Sequence, residues 1–427
     1  MILKKNPMSV SYYNNLVYVV VEFRIYSLIS VSPHILYESF YTNLYQFLKS
    51  FGTIPEFDFH ASMTSEFHNA VIVLSDGRYF FGRSLGKRTD CVGEVCFTTG
   101  VTGYQYTITD PSFAGQIVTF TFPHIGNVGI NSKDFECKQV LAKGIVVREI
   151  SGASHVSSHI DLNSWIEQNN FTGISGVDTR ALAIHLRENG TLGGVIHHFD
   201  DIGAVHIQEL QNVARTHKKS LATELPHLMD HSHHVDGHSV CVIDFGAKHG
   251  IFSALTRIGC AVHVVAAQND FAARALSLKP RGIVISNGPG DPADISDPVM
   301  DQLRVLIDSG IPVLGICLGH QLIAKALGAK TIKMHHGHRG SNHPVYSLET
   351  KSVEVTSQNH GYTVDASTLP DNIEVTHISL FDGTVEGIKM TNRPVLSVQY
   401  HPEGCPGPSD SHYIFRKFAD LITSTHA

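Results

Sequence analysis

Gly315-Ile316-Cys317-Leu318-Gly319 is the stretch on which the reading of this chain turns. Before it lies a short apolar run, 311–314, of the kind found in buried parallel strands. After it, Leu322, Ile323, Ala326 and Leu327 recur at helical spacing until Gly328 stops the pattern. A cysteine between two glycines at a strand-to-helix turn is how α/β folds expose a nucleophile, because side chains at the flanking positions would collide with the neighbouring strand or helix. A thiolate at a helix N-terminus is favoured by the macrodipole.

A base and an orienting acid follow. Residues 395–400 read as a strand, and His401-Pro402-Glu403 comes directly after it. Residues i and i+2 of an extended segment point the same way, and the proline stiffens the pair. His401 is thus expected to handle the thiol proton of Cys317 and Glu403 to orient the imidazole. A third segment, Asn287-Gly288-Pro289-Gly290, ends the strand expected over 282–286 and offers backbone N–H groups to an oxyanion.

Outward from these segments the rhythm is regular. Strands are expected over 240–245, 261–266, 282–286 and 311–316, alternating with helices over 250–258, 270–278, 299–309 and 320–327. That alternation implies a parallel sheet wound on both faces, with Cys317 at a strand's carboxyl end, where such sheets bind ligands. Residues 67–218 are less regular, with strands expected over 70–74, 78–82, 117–122 and 144–147, and read as a separate strand-rich domain. Between the two parts, 219–238 holds His231, His233, His234 and His238 but no apolar periodicity, and is read as a linker with no metal site.

Composition sets bounds. A chain of 427 residues with 42% hydrophobic content can bury two ordinary cores. A net charge of −7 without a basic stretch argues against nucleic acid. The seven cysteines are Cys91, Cys96, Cys137, Cys241, Cys260, Cys317 and Cys405; their number is odd and their spacing fits no zinc site, which suits a reducing cytoplasm. The first 66 residues are atypical: seven of the 14 tyrosines fall there, and the apolar run 16–32 is interrupted by Glu22 and Arg24, so no membrane span is expected. That extension is read either as a poorly ordered addition or as upstream sequence ahead of a start at Met63, whose removal leaves folding and activity intact.

The segments together carry a family resemblance. Gly315-Ile316-Cys317-Leu318-Gly319-His320-Gln321, Ser286-Asn287-Gly288-Pro289-Gly290-Asp291-Pro292 and Tyr400-His401-Pro402-Glu403 resemble the three signatures of class I (triad) glutamine amidotransferases. Thr102-Gly103-Tyr104-Gln105, Thr109-Asp110-Pro111-Ser112, 123–129, Asp178-Thr179-Arg180, 244–248 and Gln358-Asn359-His360-Gly361-Tyr362 resemble the small subunit of carbamoyl-phosphate synthetase, from about Asn69 onward. The resemblance implies an α/β chain in which the strand-rich domain precedes a doubly wound amidotransferase domain over 239–427.

It also implies that Cys317 attacks the side-chain amide of L-glutamine with His401 and Glu403 as partners. Gly288 and Leu318 would supply oxyanion N–H groups; Ser112, Gly290, Gln321, Asn359, Gly361 and Tyr362 would contact the substrate. No cofactor is implied in this chain; ATP and Mg belong to the expected partner, the large synthetase subunit, which uses the ammonia to make carbamoyl phosphate for arginine and pyrimidine synthesis. Tyr106, Tyr362, Gly404 and Cys405 depart from the family's usual Glu, Phe, Ala and Ser. The amidotransferase component of anthranilate synthesis would share the triad but lack the domain carrying Ser112. A binding-only scaffold would most simply lose Cys317.

Overall fold

The computed structural model describes residues 68–216, 231–233, 237–268 and 270–425, together with the strands at 9–13 and 16–20. The chain forms two compact units, Met1–Ser62 and Met63–Ala427. In the first, Ser9–Tyr13 and Leu16–Val20 pair antiparallel, so the start of the apolar run at 16–32 is a strand; the rest of that run and the start at Met63 lie outside the described residues.

In the second unit, seven strands close into a barrel in the order Thr172–Ser175, Tyr79–Gly86, Ala70–Leu74, Leu192–His198, Cys91–Thr98, Gln116–Phe120, Gly144–Val146. Closure leaves no unpaired edge to attract another chain. Ala70–Leu74 is apolar throughout and wholly buried. Its Ile72 and Leu74 join Val95, Ile117, Val146, Ile174 and Ile196 in one core. Four of these strands stand where the sequence puts them; Cys91–Thr98 is a strand where the sequence allows strand or loop, and Thr172–Ser175 and Leu192–His198 were not expected, since glycines at 173, 193 and 194 break their apolar runs. Between Cys91–Thr98 and Gln116–Phe120 the chain makes the helix Tyr104–Thr109 and the short 3-10 turn Pro111–Phe113, where the Asp110 carboxylate accepts from Ser112 N–H at 2.8 Å.

From His231 onward the described residues build a ten-stranded sheet, ordered His231–His233, Cys260–Ala266, His238–Asp244, Gly282–Ile285, Val313–Ile316, Val395–Val398, Val385–Met390, Ile373–Ser379, Thr331–Ser347, Ser352–Val364. The five strands from Cys260–Ala266 to Val395–Val398 run parallel. Helices Phe271–Ser277, Asp297–Asp308 and Leu318–Ala326 pack on one face through Phe271, Leu303, Leu306, Leu322 and Ile323. His249–Arg257 and Tyr413–Thr425 cover the other through Ile251, Leu255, Phe415 and Phe418. This is the doubly wound α/β class expected.

Two features differ from the sequence reading. The sheet is mixed, since four antiparallel strands over 331–390 extend it beyond Val395–Val398. The run through His335, His336, His338 and Arg339 lacks apolar alternation because two register shifts interrupt its pairing with Ser352–Val364. In the segment read as a linker, His231–His233 pairs antiparallel with Cys260–Ala266, and His238 opens the first parallel strand. Backbone pairing at a sheet edge needs no apolar pattern.

Candidate active site

The parallel strands deliver their chemistry at their carboxyl ends, beside the point where strand order reverses. Lys248 follows His238–Asp244, Asn287 follows Gly282–Ile285, Cys317 follows Val313–Ile316, and His401 follows Val395–Val398. Cys317 sits in a strained conformation at φ 54 and ψ −105, and its N–H donates to Val398 O at 2.9 Å. The flanking glycines are sterically required: a Cβ on Gly315 would lie 2.9 Å from Gly319 O, and one on Gly319 would lie 2.1 Å from Ile285 O. The turn is thus held by close packing of a strand, a helix start and a neighbouring strand. The thiol of Cys317 reaches Asn359 O at 3.6 Å. Leu318 opens the helix, whose first N–H groups have no intrahelical acceptor.

His401 is buried, and its Nδ1 lies 2.7 Å from Glu403 Oε1. Its Nε2 has no hydrogen-bond partner among the described residues and is left for Cys317. Burial opposes the charged imidazolium, but Glu403 and then Cys317 outweigh it and raise the His401 pKa to about 10. Glu403 is disfavoured as an anion by burial, yet Lys248 and His401 hold its carboxyl well below the usual range. His320, only three residues from Cys317, does not compete as base: its Nδ1 engages Ser397 Oγ at 2.9 Å, and burial pushes it down to about 3.

Lys248 was given no role by the sequence reading, although it lies in a segment used for the resemblance. Its Nζ, buried, lies 2.9 Å from Glu403 Oε1 and 3.4 Å from Glu136 Oε1, and donates to Cys405 O at 2.8 Å. Burial works against its charge, but Glu136 and Glu403 hold its pKa well above the ordinary value. Glu136 comes from the barrel part, and its Oε2 accepts from Gly250 N–H at 2.9 Å. A lysine after the first parallel strand was a signal within reach; Glu136, in an irregular loop, offered none.

Ser112, Gly288, Gly290, Leu318, Gln321, Asn359, Gly361 and Tyr362 all line one cleft with Cys317. The cleft lies between the barrel and the sheet. Ser112 Oγ accepts from Asn287 Nδ2 at 2.8 Å, and Asp110 Oδ2 accepts from Asn359 Nδ2 at 3.1 Å. Gln321 is fixed by donating to Tyr362 O at 2.8 Å and Gln399 Oε1 at 2.9 Å. The departures from the family pattern have local partners. The Tyr362 hydroxyl bonds the Asp291 carboxylate, and that of Tyr106 donates to Asp134 Oδ1 at 2.7 Å. Gly404 has φ 67, and an alanine Cβ there would lie 2.5 Å from Pro408 O.

A buried thiol, an imidazole held by a carboxylate, and N–H groups at a helix start and a glycine turn together can form and hydrolyse a thioester. Comparison with known proteins agrees with that chemistry. Residues 241–421 match the family of class-I glutamine amidotransferases, and residues 72–196 match the CPSase domain of the carbamoyl-phosphate synthase small chain. The carbamoyl phosphate synthase small chain of Zymomonas mobilis is 45% identical over 371 residues, covering 82% of this chain and 99% of that one. Those of Rhizobium meliloti and Ruegeria pomeroyi are 43% and 44% identical over 378 residues, covering 83% and 84% of this chain and 94% and 97% of theirs.

Proposed function

The chain belongs to the carbamoyl phosphate synthase small-chain family, and from that premise we propose that Cys317 carries out the glutaminase step that feeds a large synthetase subunit. The sulfur attacks the side-chain carbonyl carbon of L-glutamine. The oxyanion that forms is met by the N–H groups of Gly288 and Leu318. Imidazolium His401 gives its proton to the amide nitrogen, the C–N bond breaks, and ammonia departs from a glutamyl thioester. Water then attacks the thioester, His401 takes its proton, and glutamate leaves as the thiol is restored.

The observation that carries this reading is the 2.7 Å His401–Glu403 contact behind Cys317 at a strained, glycine-flanked elbow. Ser112 places the barrel against the glutamine cleft, which sets this chain apart from amidotransferases without that domain. No cofactor is assigned to the chain; ATP and Mg act in the large subunit, which consumes the ammonia. Among the described residues no helix is long and apolar enough to cross a membrane. We place the reaction in the cytoplasm; the seven free cysteines support a reducing compartment.

The complex carrying Cys317→Ser tests the assignment. Glutamine-dependent carbamoyl phosphate synthesis is expected to be lost while ammonia-dependent synthesis persists, since a serine hydroxyl is the poorer nucleophile and free ammonia bypasses the step. Retained glutamine use would remove Cys317 from the role of nucleophile.

A further inference from the structure

At the edge of the glutamine cleft, three antiparallel strands bring together His338 from Thr331–Ser347, His360 from Ser352–Val364 and Glu386 from Val385–Met390. His338 and His360 are directly paired in the sheet register. All three side chains are more than nine-tenths buried. One donor atom from each lies within 4.8 Å of the others.

The outer contacts fix which atoms point inward. His360 Nδ1 lies 2.8 Å from Tyr362 O, which only accepts, so Nδ1 carries the proton and a neutral ring presents a bare Nε2. His338 Nε2 lies 3.0 Å from Asp382 Oδ2, so it donates there and a neutral ring presents a bare Nδ1. Glu386 Oε2 accepts from Gln358 Nε2 at 2.8 Å, which leaves Oε1. His338 Nδ1, His360 Nε2 and Glu386 Oε1 have no hydrogen-bond partner among the described residues.

Three lone-pair groups therefore face one another in a buried space, and buried acceptors without a donor are costly. A proton on His338 Nδ1 would be shared with Glu386 Oε1, 3.3 Å away, and would still leave His360 Nε2 against that carboxylate without a donor. A cation relieves all three. Glu386 Oε1 is 3.3 Å from His338 Nδ1 and 3.8 Å from His360 Nε2. Bond lengths of about 2.0–2.2 Å to zinc give tetrahedral edges of about 3.3–3.6 Å. Two imidazoles and a carboxylate are a donor set for a borderline divalent ion, and the Asp382–His338 contact is the carboxylate that orients a ligating imidazole.

We infer that His338, His360 and Glu386 form a binding site for a divalent transition-metal ion of the zinc type. The site is distinct from the histidines at 231–238, and nothing in the glutaminase chemistry uses it. Its consequence is mechanical: His360 lies between Asn359 and Gly361, and all three line the glutamine cleft. An ion there ties that strand to its two neighbours.

Cobalt is the probe. The full chain, stripped with chelator, is titrated with Co2+ and followed by visible absorption. Saturation at one ion per chain is expected, with the intense d–d bands of a tetrahedral site and no thiolate charge-transfer band, since no cysteine belongs to the donor set. Glu386→Gln is expected to abolish the bands, and Asp382→Asn, which leaves all three donors in place, to weaken binding by about 10- to 100-fold. Added zinc should raise the melting temperature of the parent and not that of Glu386→Gln. Absence of cobalt bands in the parent, bands unchanged in a folded Glu386→Gln, or a thiolate band at saturation would each overturn the assignment.

Discussion

In the ten-stranded sheet, Lys248, Asn287, Cys317 and His401 reach the site from the carboxyl ends of four parallel strands, whereas the barrel brings Asp110, Ser112 and Glu136 there from loops and one 3-10 turn. The sheet's contribution follows from topology: strands side by side place successive turns side by side. The barrel's contribution follows from docking. Ser112 meets Asn287, Asp110 meets Asn359, and Glu136 meets both Lys248 and Gly250. The difference teaches that one part makes the reacting groups and the other sets the charge and position of what supports them.

Substitutions at His401 and Glu403 give the largest expected effects on that division. His401→Ala is expected to reduce glutamine hydrolysis by about 100- to 10,000-fold, the range of a lost general acid and base. Glu403→Gln, which keeps an acceptor for the imidazole but removes its charge, should cost less. Steady-state glutaminase assays of the two variants in the complex separate them, and equal losses would contradict the roles assigned.

Glu136→Gln sharpens the comparison from the barrel side. It takes one carboxylate from buried Lys248 and weakens the acceptor for Gly250 N–H, which should lower unfolding stability by about 1–3 kcal/mol. Glutamine hydrolysis should stay within a few-fold of the parent, because Glu403 remains beside Lys248 at 2.9 Å. Thermal unfolding and the same assay read both. A loss of activity as deep as that of Glu403→Gln would mean that the barrel belongs to the reacting machinery.

A further expected effect is on the pH dependence of stability. The folded His401 pKa of about 10 lies above its ordinary 6.5, so the imidazolium's stabilisation is fully present below about pH 6.5 and is lost as pH rises through about 10. The extra slope of one such group is at most about 1.4 kcal/mol per pH unit. In Glu403→Gln, which removes the main upward cause, the curve between pH 7 and 10 should be flatter than in the parent. Denaturant unfolding at several pH values checks it, and parallel curves would show that His401 is not the titrating group.

How far the sequence could be read follows the same division. Gly315-Ile316-Cys317-Leu318-Gly319 was legible because its constraints are local: a strand, a turn that tolerates only glycine, and a helix. His401 and Glu403 were legible because two-residue spacing in extended chain already places them together. The strands over 331–390 were not, since bulges and buried polar residues such as His338, His360 and Glu386 erase the alternation by which a strand is recognised.

Ser112 stands between the two cases. A family resemblance singled it out, yet nothing in its own surroundings says that it meets Asn287, 175 residues away in sequence.

The sequence by itself determined the glycine-flanked Cys317 turn, the His401–Glu403 pair and the parallel α/β core, because each depends on neighbours a few residues apart. Only the tertiary structure decided that Lys248 joins Glu403 to Glu136, that His320 is withdrawn onto Ser397, and that His338, His360 and Glu386 converge. Burial and cross-strand register fix those arrangements, and both are properties of segments brought together over long stretches of chain, which no local pattern records.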